Sequence, residues 1–355
     1  MSESNRRIRL ASRPVGVPQP EDFTHDDAPI GSPGEGEVLL RTRYLSLDPY
    51  MRGRLSDAKS YAKPVEIGDV IVGATVSEVV ESNSPKFSAG QTVLSYGGWQ
   101  SYSVEPAAQL RLLDPEAAPV TTALGVLGMP GFTAYSGLLE IGRPQAGETV
   151  AVAAATGPVG SAVGQIAKIK GCTTVGIAGG PEKVAFLEEL GFDVALDHRG
   201  EDLRGALKQA VPQGIDVYFE NVSGPVWDAV LPRLNTFARV PVCGLAAGYN
   251  ATEAPSGPDR SAALMRNILT KSLLLRGFIQ TEFVESMFSD FLRDMGQWVR
   301  EGKVKYREDI TEGLDNAPQT FVGMLEGKNF GKTIIQVGEC ASGSGAEPSR
   351  AEPSH

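Results

Sequence analysis

The sequence predicts an α/β protein in which a doubly wound, parallel-sheet domain is joined to a β-rich domain made from the two ends of the chain. Three observations predict it. Short apolar segments separated by Pro, Gly, Ser and Asp recur at roughly ten-residue intervals up to about residue 130, the spacing of barrel or sandwich strands. From about residue 131, continuous apolar runs alternate with segments of helical periodicity, as expected of strands buried on both faces by crossover helices. The turn Ala155-Thr156-Gly157-Pro158-Val159-Gly160 joins the first such run to the first such helix, where a dinucleotide-binding glycine motif belongs.

In chain order, strands are expected at Glu37 to Tyr44, Val70 to Val80, Gln91 to Ser95 and Ser101 to Val104. Thr149 to Ala154 is the first buried strand, and Val159, Val163, Ile166 and Ile169 set the helical spacing of the segment after it. Strand and helix then alternate: strand Thr174 to Ala178, helix Lys183 to Leu190, strand Val194 to Leu196, helix Leu203 to Ala210 and strand Asp216 to Glu220. A helix at Val226 to Leu234, a strand at Arg239 to Cys243, a helix at Ala262 to Thr270 and a sixth strand at Leu273 to Phe278 complete the alternation. This alternation of buried apolar strands with helices predicts a parallel sheet, with right-handed crossovers. A long helix, Phe283 to Glu301, stops at Gly302, a residue suited to end it. Strands at Lys303 to Ile310 and Thr333 to Val337, with a helix near Ala317 to Leu325, return the chain to the first domain. The expected division is a β-rich domain from residues 1–130 and 304–340, a nucleotide domain from 131–303, and a small, polar, Pro-containing tail, 341–355, expected to be disordered.

Composition narrows the function. The 355 residues suggest about two domains, and 33 Lys+Arg against 43 Asp+Glu, a net charge of −10, leave no basic footprint for nucleic acid. No segment approaches the roughly 20 apolar residues of a membrane span, and Met1 to Leu10 is polar and basic without an apolar core behind it, so a cytoplasmic location is expected. Cys172, Cys243 and Cys340, with His25, His198 and His355, are too widely spaced for a disulfide framework or a zinc site.

In the motif, Ala155 takes the first glycine position. Gly157 would let the backbone approach a pyrophosphate, Gly160 would let helix and strand pack closely, and the helix start at Pro158 and Val159 would offer amides to the anion. An NAD site places Asp or Glu roughly 20 residues further on. Here the second strand runs into Gly179-Gly180-Pro181-Glu182-Lys183, whose glycines leave space and whose Lys183 can pair with a 2′-phosphate as a point charge. NADP(H) is therefore favoured over NAD(H), with Glu182 available to a ribose and Lys183 readable as a solvated residue in a first helical turn.

Several stretches carry a family resemblance. They are Leu45-Ser46-Leu47-Asp48-Pro49-Tyr50-Met51-Arg52, Gly128-Met129-Pro130-Gly131-Phe132-Thr133-Ala134-Tyr135, Gly164-Gln165-Ile166-Ala167-Lys168 and Gly176-Ile177-Ala178-Gly179-Gly180-Pro181-Glu182-Lys183. Phe219-Glu220-Asn221-Val222, Pro241-Val242-Cys243-Gly244 and Gly327-Lys328-Asn329-Phe330-Gly331-Lys332 continue the series. In this order, across about residues 5 to 338, the chain resembles the medium-chain dehydrogenase/reductase superfamily. Within it, the chain is most similar to the zinc-independent, NADP-dependent alkenal/one reductases, the group of the prostaglandin, plant double-bond and curcumin reductases. The resemblance implies a Rossmann domain plus a GroES-like catalytic domain, no metal, and a homodimer, with the sixth-strand edge as a candidate contact. It implies that Lys183 binds the 2′-phosphate, that Met129 and Thr133 lie near the nicotinamide, and that Asn221, Cys243, Gly244, Phe278 and Asn329 line the cofactor. Tyr249, in Gly248-Tyr249-Asn250, matches the family tyrosine near the substrate carbonyl, and the run Asp48 to Arg52, with Tyr50, borders the substrate cleft. Where many members have Asp-Tyr, this chain has Asp197-His198, so the phosphate contact falls to His198.

Simpler readings stand beside these. Asn221 can cap a turn, Tyr50 can be a buried aromatic, Asp48 before Pro49 is a turn former, and Cys243 is a small buried residue. The implied activity is NADPH-dependent reduction of a conjugated C=C bond in a small α,β-unsaturated ketone or aldehyde. Hydride goes to the β-carbon, and Tyr249 and the nicotinamide ribose hydroxyl are candidate donors to the enolate. The alternatives are a quinone reductase and a non-catalytic NADPH-binding regulator.

Overall fold

The computed structural model describes residues 4–253 and 258–338; the expected tail, 341–355, lies outside them. Six strands form an all-parallel sheet in the spatial order Val194–Asp197, Thr173–Ala178, Thr149–Ala153, Ile215–Phe219, Leu234–Val242, Leu274–Gly277. Numbered along the chain this is 3-2-1-4-5-6, the doubly wound order whose direction reverses between the first and fourth strands. Thr149–Ala153 is buried along its whole length, as its unbroken apolar run requires. The helix Pro158–Ile169 packs close to the second strand because Phe192 is wedged between them. A Cβ at Gly164 would meet that ring at 2.0 Å, and one at Gly176 would meet Leu187 at 2.7 Å and Phe192 at 2.9 Å.

The β-rich sheet is organised on Glu37–Ser46, which pairs antiparallel with Thr75–Ser82, Tyr102–Pro106 and Lys332–Gln336. Thr92–Ser95 and Arg111–Leu112 extend one side, and Glu308–Glu312 lies outside Lys332–Gln336 on the other. The helices Met129–Ser136 and Val284–Arg300 meet where Phe132, Phe288 and Phe291 pack ring to ring, with centroids 5.1 to 5.7 Å apart.

The structure departs from the expected elements in four places. The strand expected from Val70 starts only at Thr75. Residues 70–73 lie instead against the N-terminal segment and the Trp99 turn, with Ile71 N–H donating to Ile8 O at 3.2 Å and Trp99 N–H to Ile71 O at 2.8 Å. A hairpin of Asn5–Leu10 and Phe23–Ala28, absent from the sequence reading, covers this corner. Its arginines made it look like a solvated tail, but Ile8 and Leu10 are fully buried while Arg7 pairs with Asp26 across the strands. The strand expected from Lys303 begins at Glu308, because Gln165 holds Lys305 in an extended connection. The amide of Gln165 donates to Lys305 O at 2.9 Å and accepts from Lys305 N–H at 2.7 Å. Finally, the helix expected to reach Leu234 ends at Val230, and Leu234 already opens the fifth strand.

A buried ion pair joins the two ends of the β-rich domain. Lys332 Nζ donates to Asp48 Oδ1 at 2.8 Å and to Leu47 O at 2.6 Å, with side chains 3% and 5% exposed. Asp48 is thus more than the turn former its place before Pro49 suggests, although its carbonyl does accept from Met51 N–H at 3.0 Å. Replacing Lys332 by Ala would leave the carboxylate buried and unpaired, a change that costs about 3–5 kcal/mol. Urea denaturation of Lys332→Ala is expected to show a loss in that range; a loss below about 1 kcal/mol, the worth of an exposed pair, would show that Asp48 recruits water instead.

Candidate active site

The site is assembled from the carboxyl ends of the parallel strands, where ligands of doubly wound sheets collect. After the first strand the chain turns at Ala154, held at φ 50, and enters the helix at Gly157. Gly160 is the tightest point: a Cβ there would lie 2.4 Å from Ala154 O and 2.8 Å from Ala155 Cα, so no other residue fits without moving the turn. A Cβ at Gly157 would meet only Ala154 O, at 3.2 Å, which leaves its outer side open. Pro158 occupies the first helical position, and no side chain caps the helix start. The amides of Val159 and Gly160 have no partner within the helix and are the donors an anion would take.

At the end of the second strand, Lys183, His198 and Arg199 gather around Gly179. A Cβ on Gly179 would lie 2.8 Å from His198 Nε2 and 2.9 Å from Arg199 Nε. Burial first, then the Arg199 charge, push Lys183 below its ordinary value, and the same two causes lower His198. Asp197 might have neutralised the group, yet its carboxylate is turned to the backbone, accepting from Gly180 N–H at 2.9 Å and Arg199 N–H at 2.8 Å. Cations that depress one another in this way favour an added anion. Arg199 was missed in the sequence, where only its adjacency to His198 marked it. Glu182 is exposed.

The fourth and fifth strands supply a second, interlocked pair of turns. Glu220, 3% exposed, accepts from Val222 N–H at 2.7 Å, Ser223 N–H at 2.8 Å and the Tyr218 hydroxyl at 3.2 Å. Its backbone carbonyl accepts from Cys243 N–H and Gly244 N–H. Asn221 donates its side-chain amide to Ala153 O at 3.0 Å, a tie to the first strand beyond the turn capping that its position alone allows. Burial, then the Glu220 charge, push the Cys243 thiol up to about 12, which makes it a poor nucleophile. The Tyr249 hydroxyl lies over Gly244, 3.0 Å from where a Cβ would stand. Burial raises its pKa, so it remains a hydrogen-bond donor well above neutral pH.

On the β-rich side, Tyr50 precedes the short helix Met51–Arg54. Burial, then the Asp48 carboxylate and Tyr96, raise its pKa. Arg54 lies 5.7 Å from the Tyr50 ring and 5.5 Å from the Tyr61 ring, and Tyr61 is near enough to perturb both Tyr50 and Tyr249. Both candidate phenols thus lie near Tyr61. Met129 opens the helix Met129–Ser136 and receives the Thr133 hydroxyl on its carbonyl at 2.8 Å. Asn329 donates to Gly331 O at 3.0 Å, within a loop that Lys183 reaches by donating to Gly327 O at 2.8 Å. The Phe278 ring is set apart from this group: it is 6% exposed and packs on Phe219 and Phe283 in the core, so only its backbone faces outward possibilities.

Among the described residues, no three His, Cys, Asp or Glu side chains are grouped so as to hold a metal ion, and no helix is long and apolar enough to cross a membrane. The fit is to a phosphate-bearing dinucleotide: an uncapped helix start over an open glycine, and a cation group gathered at Gly179, about 20 residues after the motif, where such ligands place their adenosine ribose.

Comparison with known proteins agrees with this geometry. A family described as the N-terminal domain of oxidoreductase matches residues 6–113, and one described as zinc-binding dehydrogenase matches residues 158–296. The chain is 58% identical to the NADPH-dependent curcumin reductase of Escherichia coli (strain K12), over 94% of this chain and 97% of that protein. It is 38% identical to the 2-alkenal reductase (NADP(+)-dependent) of Nicotiana tabacum, over 94% and 98%. The crystal structure of CurA in complex with NADPH from Vibrio vulnificus superposes with a TM-score of 0.92 at 52% identity, covering 94% of this chain and all of that one. With likeness of this degree along nearly its whole length, the protein belongs to the medium-chain dehydrogenase/reductase family, in the group of NADP-dependent reductases that includes the curcumin and 2-alkenal reductases.

Proposed function

We propose that this protein is an NADPH-dependent reductase that saturates the conjugated C=C bond of α,β-unsaturated ketones and aldehydes. The observation that carries the reading is the protonated Tyr249 phenol over Gly244, at the same carboxyl ends of the parallel strands as the uncapped dinucleotide-type helix start, with the segment of Tyr50 tied to its loop by the Arg52–Asn250 hydrogen bond. The names of the relatives support it. In this reading residues 1–130 and 304–340 supply the substrate wall, and residues 131–303 the cofactor wall.

NADPH, when bound, supplies the hydride for the β-carbon. The chain's own residues do the rest. Ala155, Gly157, Pro158, Val159 and Gly160 form the turn and helix start that take the pyrophosphate, and Gly179 leaves room for the 2′-phosphate between Lys183, His198 and Arg199. Asn221, Cys243, Gly244, Asn329, Met129 and Thr133 border the nicotinamide end, and Phe278, whose ring is buried in the core, meets it through its backbone alone. As the β-carbon gains its hydrogen, charge collects on the carbonyl oxygen, and an O–H donor already aimed there stabilises it without prior reorganisation. Tyr249 is the first candidate and Tyr50 the second. The α-carbon then takes a proton, which completes the saturation.

A homodimer across the sixth-strand edge fits the surface: Leu274 on that strand and Met265 and Leu269 on the adjoining helix Ser261–Lys271 are 49%, 64% and 80% exposed, more apolar area than a lone surface helix usually shows. A reducing cytoplasm fits the unpaired Cys172 and Cys243.

Three outcomes are expected. Lys183→Ala and Arg199→Ala should each weaken NADPH by about 1.5–3 kcal/mol, the worth of a charge-assisted contact, and NADH far less; titration of both cofactors checks this, and equal losses would remove the 2′-phosphate role. Tyr249→Phe should lower enone turnover by roughly 10- to 1000-fold with NADPH affinity almost unchanged, and because burial raises the phenol's pKa, its ionisation should cost no rate across the neutral range. Consumption of NADPH with quinones alone, or tight binding with no turnover of any enone, would replace the reductase reading by one of its alternatives. In sedimentation, the native protein should run as a dimer and Leu269→Asp with Leu274→Asp as a monomer; a monomeric native protein would refute the edge contact.

A further inference from the structure

The loop that carries Tyr249 is fastened unevenly. On its N-terminal side the nucleotide domain holds it, with Ala246 N–H donating to Asn221 O at 3.1 Å and Ala247 N–H to Val222 O at 2.9 Å. Within the loop only short-range bonds occur, Gly248 N–H to Leu245 O, Tyr249 N–H to Ala246 O and Ala251 N–H to Gly248 O. Its C-terminal side is held from the other domain. Arg52, 7% exposed, donates from Nε to Asn250 Oδ1 at 3.0 Å and from one terminal nitrogen to Gly16 O at 2.8 Å and Pro14 O at 3.3 Å. Gly16 in turn lies against Thr252, a Cβ there standing 3.5 Å from its methyl group.

All three acceptors are neutral. Burial costs this guanidinium more than the nearby Asp22 carboxylate returns, and it makes no direct ion pair, so stability is a poor reason for this residue. What the arrangement does provide is geometry. Arg52 stands two residues after Tyr50 and Asn250 directly follows Tyr249, so one planar, rigid donor fork ties the segment that carries Tyr50 to the loop that carries Tyr249.

We propose that Arg52, through Asn250, is a positioning residue that sets Tyr249 at its working distance from Tyr50. The catalytic consequence rests on the reductase reading; the fastening of the loop does not. The test uses the full-length protein with NADPH bound and the variants Asn250→Ala and Asn250→Asp, the second keeping an acceptor where Oδ1 stands. Amide hydrogen exchange over residues 246–251 is expected to quicken about tenfold in Asn250→Ala and to stay near native in Asn250→Asp; equal exchange in all three proteins overturns the proposal. On an enone that the native protein reduces, Asn250→Ala should lose about 10- to 100-fold in kcat, the scale of an ångström's misplacement, with NADPH affinity kept within about twofold, and Asn250→Asp should recover most of it. Adding Arg52→Met to Asn250→Ala should cost little more than either alone, since residues acting as one unit are not additive; fully additive losses also overturn the proposal. A native protein that reduces no enone would refute the reductase reading, while the exchange result still decides the fastening.

Discussion

The ion pair between Lys332 and Asp48 is the contact on which the arrangement of the cleft depends. The polypeptide leaves the β-rich domain to build the parallel sheet and must come back to finish it, and ordering so long a loop is opposed by chain entropy. Antiparallel pairing of Lys332–Gln336 with the end of Glu37–Ser46 closes the loop. The pair then fixes register where it matters, because Asp48 opens the turn that presents Tyr50 and Lys332 ends the loop that carries Asn329. Two segments 284 residues apart are thereby made one object. Burial makes the geometry strict: with neither group exposed, no looser arrangement satisfies both charges.

The seam between the domains is stitched at several further points of different chemistry. Gln165 uses a neutral amide twice on Lys305, Lys183 reaches Gly327 O, and Phe186 packs edge-on against Phe330 at 5.1 Å with the Arg307 guanidinium 3.9 Å from the Phe330 ring centre. An ammonium has three donors, so Lys183 can keep its carbonyl partner while meeting an anion. The anion site and the seam can therefore tighten together.

Local patterns made much of this legible. Continuous apolar runs gave the parallel strands, and the glycine motif was placed by its position between a run and a helix. The closeness that Gly160 and Gly164 require is a packing property that the residue type already announces. Other features had no local signal. Asp48 and Lys332 are 284 residues apart in sequence, and nothing near either one points to the other. Arg52 looked like part of a motif because its acceptors, Pro14 and Gly16 in one segment and Asn250 in another, meet it only after folding. The N-terminal hairpin was missed because charged residues on its outer face masked the alternation, and Val70 to Val80 was read as one strand because apolar residues continue from 70–73, whose backbone bonds to Ile8 and Trp99, into the strand that starts at Thr75.

The central place of Glu37–Ser46 in its sheet has a consequence for biosynthesis. One side of that strand is completed by Lys332–Gln336, which leaves the ribosome only after nearly all the rest of the chain. The parallel sheet, contiguous between Thr149 and Gly277, has all its strands available much earlier and can form as a unit. Until Lys332–Gln336 has been made, the nascent β-rich sheet therefore carries an open edge at Tyr44, Leu45 and Ser46, the kind of surface that pairs with other chains. A ribosome that stops short of Gln336 releases a chain whose parallel sheet is complete and whose other sheet is adhesive.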